Sequence, residues 1–170
     1  MKHFEVEQKF RLKRPEKLRA LLRRFKARRL SGGLELNEFY DYRSELRRRK
    51  SILRLRRKPD GKAYLTFKGP RLESRFSKRL ELETSVDFDR MKSILNTVGF
   101  KKVFAYRKFR DEYRLGRCLV AVDRVPRLGN FFEIEGYAHD IARLSAKLGA
   151  HFQDRENRTY LKMLFLKQQV

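Results

Sequence analysis

Apolar and polar residues alternate with a period of two at the start of the chain. Over residues 3–12, Phe4, Val6, Phe10 and Leu12 hold the even positions, while Glu5, Glu7, Lys9 and Arg11 hold the odd ones. That period is a β-strand's, whose successive side chains point to opposite faces, so Glu5, Glu7 and Lys9 share one face at steps of about 7 Å. Taken alone, the segment reads as an ordinary half-buried strand with a wet outer face. The same test on later segments returns the same pattern. Arg54 and Arg56 stand opposite Leu53 and Leu55, and Thr66 and Lys68 opposite Leu65 and Phe67. Arg79, Glu81 and Glu83 alternate with Leu80 and Leu82; Tyr106, Lys108 and Arg110 with Arg107 and Phe109; Glu133 and Glu135 with Phe132 and Ile134. Asp123 shares its face with Leu119 and Ala121.

Other stretches carry the helical period. Pro15 opens a segment with Leu18, Leu21, Leu22 and Phe25 at i, i+3, i+4 and i+7, which Ser31-Gly32-Gly33 is expected to end. Phe88, Met91, Ile94, Leu95 and Val98 mark a second helix closed by Gly99. Asp140 is placed as the cap of a third, which carries Ile141, Leu144 and Leu148 and stops at Gly149, and residues 156–166 form a last one. Strands are predicted over residues 34–42, 51–58, 63–68, 75–86, 101–114, 117–125 and 131–137. Lys58-Pro59-Asp60-Gly61-Lys62 turns one pair, Gly69-Pro70 stops the second member of that pair, and Leu115-Gly116 turns a later hairpin. The sum is about eight strands and four helices: an α+β chain whose tight turns argue for an antiparallel, curled sheet.

With 170 residues and no repeat or linker, residues 1–170 read as one domain. Lys and Arg number 44 against 21 Asp and Glu, a net charge of +23 that calls for anionic partners. The single Cys118 excludes an internal disulfide or a cysteine zinc cluster and reads as a packing residue. The absence of a leader or long apolar run predicts a cytoplasmic protein with no membrane association. His3, His139 and His151 are scattered and read as surface residues, and Tyr106 and Tyr160 as core or rim packing, with stacking on a base as the alternative for the two tyrosines.

Two architectures give strands with one charged face. An open sheet wets it; a closed barrel with external helices encloses it. The acids cluster near both ends of the chain and the bases in the middle, and enclosing such a set is costly unless it binds something. A strongly anionic chain with divalent cations would suit it, bases on phosphate oxygens and acids on metal.

Glu5-Val6-Glu7-Gln8-Lys9 resembles the Glu-x-Glu-x-Lys signature of the CYTH superfamily, the triphosphate tunnel metalloenzymes. Residues 52–57, 65–70, 79–83 and 108–110, Asp123 and residues 129–136 follow in the family's order. The stretch Asp154–Tyr160 is similar to the tail of the class IV adenylyl cyclase branch. The resemblance implies an eight-stranded antiparallel β-barrel, a tunnel with a charged interior and helices packed outside, that binds a nucleoside or organic triphosphate with Mg²⁺ or Mn²⁺. It implies phosphate contacts from Lys9, Arg56, Lys68, Lys108 and Arg110, with Arg54 added by alternation. It implies metal-holding roles for Glu5, Glu7, Glu133 and Glu135, with Glu81 and Glu83 as further acids, and places Asp123 near the reacting end. Glu5, Glu7, Lys9 and Asp123 are the catalytic candidates.

The expected activity is conversion of ATP to cyclic AMP and pyrophosphate. Hydrolysis of thiamine triphosphate, a nucleoside triphosphate or tripolyphosphate is the alternative, because one charged lining serves both reactions. A third reading, a non-catalytic binder of RNA or polyphosphate, rests on the basic runs at 23–24, 28–29 and 47–50, which no recognition motif accompanies. Monomer and homodimer both remain open.

Overall fold

The computed structural model describes residues 4–167, without the side chain of Phe152; the reading of His3 falls outside them. In chain order the elements are β1 (Phe4–Arg11), α1 (Pro15–Arg24), β2 (Arg28–Asp41), α2 (Glu45–Arg48), β3 (Ile52–Arg57), β4 (Ala63–Leu72), β5 (Ser77–Val86), α3 (Phe88–Thr97), β6 (Lys101–Leu115), β7 (Cys118–Val125), β8 (Gly129–Glu135), α4 (Ala138–Lys147) and α5 (Tyr160–Lys167). The strands form a closed barrel in the order β1-β5-β4-β3-β2-β6-β7-β8. The chain is thus α+β with an eight-stranded antiparallel barrel, as expected.

Two compact units divide the chain: one holds Leu34–Ser74, Lys78–Arg107 and Glu5, the other Val6–Gly33, Arg75–Ser77 and the chain from Lys108 onward. In the first, the apolar face of α3 covers the strands: Phe88 and Leu95 pack with Tyr40, Leu55 and Ala63. In the second, Leu18 and Leu22 of α1, Ile141 and Leu144 of α4 and Leu148 just after it cover Phe10, Val120, Val122, Phe132 and Ile134. Each fully buried leucine contributes roughly 1.5–3 kcal/mol. Helices therefore occupy the apolar face of the strands in each unit and leave the charged face away from them.

Several boundaries differ from the sequence reading. Helix α1 ends well before Ser31-Gly32-Gly33, because Lys26 takes the left-handed conformation (φ 55°) usually left to glycine. The Lys26 amide then donates to the Arg23 carbonyl and the Ala27 amide to the Leu22 carbonyl, closing the helix. The glycines expected to stop it lie inside β2. Gly69-Pro70 does not stop β4; the strand passes through with a register shift between Lys68 and Arg71, a bulge that accommodates a residue with no N–H to give. Asp140 is not the cap of α4: Tyr137 holds that position, and the Asp140 carboxylate accepts from Arg143 in the first turn. Helix α5 begins at Tyr160, not at residue 156, since Thr159 Oγ1 accepts from the Lys162 amide. The short α2 escaped prediction; buried Asp41 nucleates it by accepting from the amides of Leu46 and Arg47.

Candidate functional site

In the first unit the register aligns side chains of one face in rows. Phe39 pairs with Arg54, Arg54 with Thr66, and Thr66 with Glu83, across β2, β3, β4 and β5; the next row brings Lys68 beside Glu81. Lys68 is 7% exposed, and its Nζ donates to both oxygens of Glu5 at 2.8 Å. The same ammonium lies 2.8 Å from Glu81 Oε2, and Arg79 Nε donates to Glu5 Oε2 at 3.3 Å. Burial raises the Glu5 pKa, but Lys68, a hydrogen bond from Glu81 and Arg79 outweigh it and bring the carboxyl to about 2. Burial and the Glu5 charge push Glu81 the other way, against Lys68, so Glu81 is the member of the pair that holds a proton more readily.

Further along that face, Arg56 Nη2 donates to Glu83 Oε2 at 2.8 Å, and Thr66 Oγ1 donates to the same oxygen at 2.7 Å. Arg54 Nη2 stands 3.9 Å from Glu81 and 3.8 Å from Glu83. Buried Glu35 lies 3.8 Å from Arg56 and accepts from Asn37 at 3.0 Å.

The second unit carries its own cluster. Asp123, 1% exposed, accepts from Arg110 Nε at 2.7 Å and Nη2 at 2.6 Å, from Lys108 Nζ at 3.2 Å and from the Tyr160 hydroxyl at 2.8 Å. Arg110 also pairs with Glu133, and Lys9 Nζ lies 3.6 Å from that residue's Oε1. Burial would raise the Glu133 pKa, yet Arg110, Lys9 and Lys108 hold the carboxyl well below the usual carboxylate range. Lys9 Nζ also donates to the Arg158 carbonyl at 2.9 Å and sits 4.1 Å from the Tyr160 ring centroid. Glu7 and Glu135 are direct register partners on β1 and β8, two carboxylates on facing positions.

The expected site residues thus fall into two sets: Glu5, Arg54, Arg56, Lys68, Glu81 and Glu83 come together in the first unit, and Lys9, Lys108, Arg110, Asp123 and Glu133 in the second. In both, buried acids and bases stand against one another in hydrogen bonds and ion pairs, which fixes the side chains in place. For metal, Glu5 and Glu81 offer adjacent carboxylates, the hard oxygen donors that Mg²⁺ takes. Among the described residues no group of three His, Cys, Asp or Glu side chains comes together to hold an ion. That donor set fits a cation completed by water and substrate oxygens better than a cage made by protein alone.

Glu35, Asn37, Arg79 and the stabilising part of Tyr160 were not picked out as site residues from sequence. Glu35 and Asn37 alternate with Leu34 and Leu36 on β2, but Glu38 and Phe39 invert the pattern, so alternation alone does not carry through the strand. Their signal was the register partner, Asn37 facing Arg56, which only the fold supplies.

The CYTH domain model matches residues 3–162, and the chain belongs to this family. It is 35% identical over 86 residues to a candidate adenylate cyclase of Methanocaldococcus jannaschii, a match covering 50% of this chain and 49% of that one. It is 27% identical over 121 residues to adenylate cyclase CyaB of Aeromonas hydrophila, covering 65% and 61%. The chain spans about half to three-fifths of the length of these two relatives. Among solved structures, a Hippeastrum candidate adenylyl cyclase with a dominant triphosphatase activity shares the fold, with a TM-score of 0.73 at 19% identity over 96% of each chain. No helix among the described residues is long and apolar enough to cross a membrane.

Proposed function

We propose that the chain is a metal-dependent enzyme acting on a triphosphate substrate, with conversion of ATP to cyclic AMP and pyrophosphate as its reaction. The observation that carries this reading is Lys68, a buried ammonium held between the carboxylates of Glu5 and Glu81. An anion of higher charge can displace such a carboxylate from its base, and the freed carboxylate is then available to a cation. Family membership and the names of the two curated relatives support the same chemistry.

In this reading Lys68, Arg54 and Arg56 in the first unit are assigned to phosphate oxygens, where they stabilise charge as the leaving group departs, and Lys9, Lys108 and Arg110 offer the same chemistry within the second unit. Glu5 and Glu81, with Glu7, Glu83, Glu133 and Glu135 as further acids, are assigned to the cation. When bound, Mg²⁺ or Mn²⁺ neutralises phosphate charge and lowers the pKa of an attacking oxygen. Asp123 holds Lys108 and Arg110 in position. In cyclisation the ribose 3′-oxygen loses its proton and bonds the α-phosphorus as pyrophosphate leaves. In hydrolysis, the alternative, water bonds the terminal phosphorus as the diphosphate end of the substrate leaves, and the attacked phosphorus departs as orthophosphate.

The test is incubation with ATP and Mg²⁺ or Mn²⁺, followed by identification of products. Cyclic AMP and pyrophosphate in equal amounts, absent in Glu5→Ala and Lys68→Ala, is the expected result. Orthophosphate without cyclic AMP would move the reading to a triphosphatase, and no turnover of any triphosphate would end it. A second reading, nucleic-acid binding, is favoured by one feature: Arg43, Arg47, Arg48, Arg49 and Lys50 are all exposed around the single turn of α2. The cytoplasm is the compartment that fits a nucleotide substrate.

A further inference from the structure

On the same face as Arg54 and Arg56, the first unit turns from charged to aromatic. Phe39, the register partner of Arg54, is 6% exposed. Its ring stacks against that of Tyr106, with centroids 5.7 Å apart and planes at 19°. Phe104, two residues away on β6, meets Phe39 edge-on at 6.5 Å. Phe104 and Tyr106 are half-buried, so these rings keep accessible surface.

Phe39, Phe104 and Tyr106 are grouped on a face that otherwise carries mostly charged and polar side chains, with Tyr64, the register partner of Arg56, as its further aromatic in this unit. The apolar core of this unit lies on the opposite face of the strands, around Tyr40 and Leu55 under α3, so the aromatic group is not an extension of it. Two polar atoms beside the rings, Arg54 Nε and Asn37 Oδ1, are buried without a hydrogen-bond partner. Asn37 lies two residues from Phe39 on the same strand face, and its Nδ2 is already given to Glu35. Buried polar atoms left unpaired are costly, and their clustering next to the rings marks a place where a ligand or ordered water completes the bonding.

Distances along the sheet suit one molecule. Adjacent strands are about 4.8 Å apart, so Arg54 stands one strand from Phe39, and Thr66 two strands away. A ring lying over Tyr106 and Phe104 would place its ribose near Arg54 and its phosphates toward Lys68.

We propose that Phe39, Phe104 and Tyr106 form the platform for the aromatic base of the substrate, so that this site selects base-bearing triphosphates over inorganic tripolyphosphate. The inference rests on the triphosphate reading above and sharpens it by assigning the organic end of the ligand. A stacked base gains from any π-face, so the platform discriminates base from no base more than one base from another.

The experiment is isothermal titration of the intact chain with Mg²⁺ and, in turn, ATP, ribose 5-triphosphate and tripolyphosphate. ATP should bind more tightly than ribose 5-triphosphate by about 5- to 150-fold, the range expected for one stacked base. Tyr106→Leu and Phe104→Leu, confirmed as folded by circular dichroism, should each weaken ATP far more than tripolyphosphate, narrowing the gap. Equal affinity for ATP and ribose 5-triphosphate overturns the platform while leaving the triphosphate reading intact. A parallel loss for ATP and tripolyphosphate in the variants also overturns it, since that is the mark of a general structural role. Failure of all three ligands to bind overturns both readings together.

Discussion

The Tyr160 hydroxyl donates to Asp123 Oδ2 at 2.8 Å, and through that bond the start of α5 is tied to the middle of β7. Both residues are buried, and the Tyr160 ring meets Phe131 edge-on at 5.2 Å. Burial and the nearby Asp123 charge push the Tyr160 phenol well above its ordinary pKa, so the proton stays on the tyrosine and the bond keeps its direction. Asp123 has four donors around it, and Tyr160 is the one that is neutral.

Tyr160→Phe removes this donor and keeps the ring. The expected cost is about 1–2 kcal/mol, which for a chain of this size lowers Tm by roughly 2–8 °C. Arg110 and Lys108 still satisfy Asp123, so the loss stays in that range. Thermal unfolding followed by circular dichroism reads it, and an unchanged Tm would show that the bond contributes nothing to stability.

Lys68→Met removes the cation shared by Glu5 and Glu81 and leaves two carboxyl groups side by side. At pH 7 the expected loss is about 3–5 kcal/mol, the range for stripping one partner from a buried ion pair. Without Lys68 the carboxyl pair takes up a proton more readily than the same groups in the unfolded chain. Lower pH therefore favours the folded variant, and its Tm deficit against the parent should shrink between pH 7 and pH 4. A deficit that stays constant over that range would mean that carboxylate repulsion is not its source.

The pH response of Glu156 runs the opposite way. Hydrogen bonds from Arg158, opposed by burial and reinforced by Arg11, bring its pKa from 4.5 to about 2. A carboxyl whose folded pKa is depressed stabilises the fold above its unfolded pKa, and that contribution fades as pH falls through the folded value. Glu156→Gln should be less stable than the parent at pH 7, and the two melting curves should converge as pH drops from about 4.5 toward 2. A Tm difference that persists at pH 2 would place the effect in packing and not in charge.

The charged half of this molecule was largely legible in its sequence. Period-two alternation put Glu7 with Lys9, Arg54 with Arg56, and Glu133 with Glu135, and the register keeps each pair on one face. Alternation assigns faces but not neighbours, so it could not tell that Lys68 sits between Glu5 and Glu81, 63 residues from the former. Glu35 and Asn37 do alternate with Leu34 and Leu36, but the inversion at Glu38 and Phe39 hid that face, and only the register sets Asn37 beside Arg56. Helix ends were misread where a residue acted out of type: Lys26 took the place of a C-terminal glycine, and Thr159 capped α5 after residues that carry a helical composition. Gly69-Pro70 looked like a stop because proline cannot pair on its N–H side, yet a bulge lets the strand continue.

The net charge of +23 needs a source outside the candidate site, because the bases there each face an acid. The segment from Arg43 to Lys50 ends in the longest unbroken run of exposed bases, Arg47 to Lys50, with Glu45 its single acid. Its conformation is fixed: Arg43, Ser44 and Lys50 all take positive φ, and Asp41 holds the turn from beneath. If the segment binds a nucleic-acid backbone, affinity for duplex DNA of any sequence should fall steeply with salt. The combined variant Arg43→Gln, Arg47→Gln and Arg49→Gln should then flatten the slope of log K against log salt by about 2–3, close to 0.9 for each phosphate no longer neutralised. Glu5→Gln, which lies outside the basic segment, should leave that slope alone while abolishing turnover. Fluorescence anisotropy over about 50–200 mM salt separates these outcomes. A slope that is the same in all three proteins would assign the basic turn to solubility and leave the triphosphate reading as the protein's one interaction with phosphate.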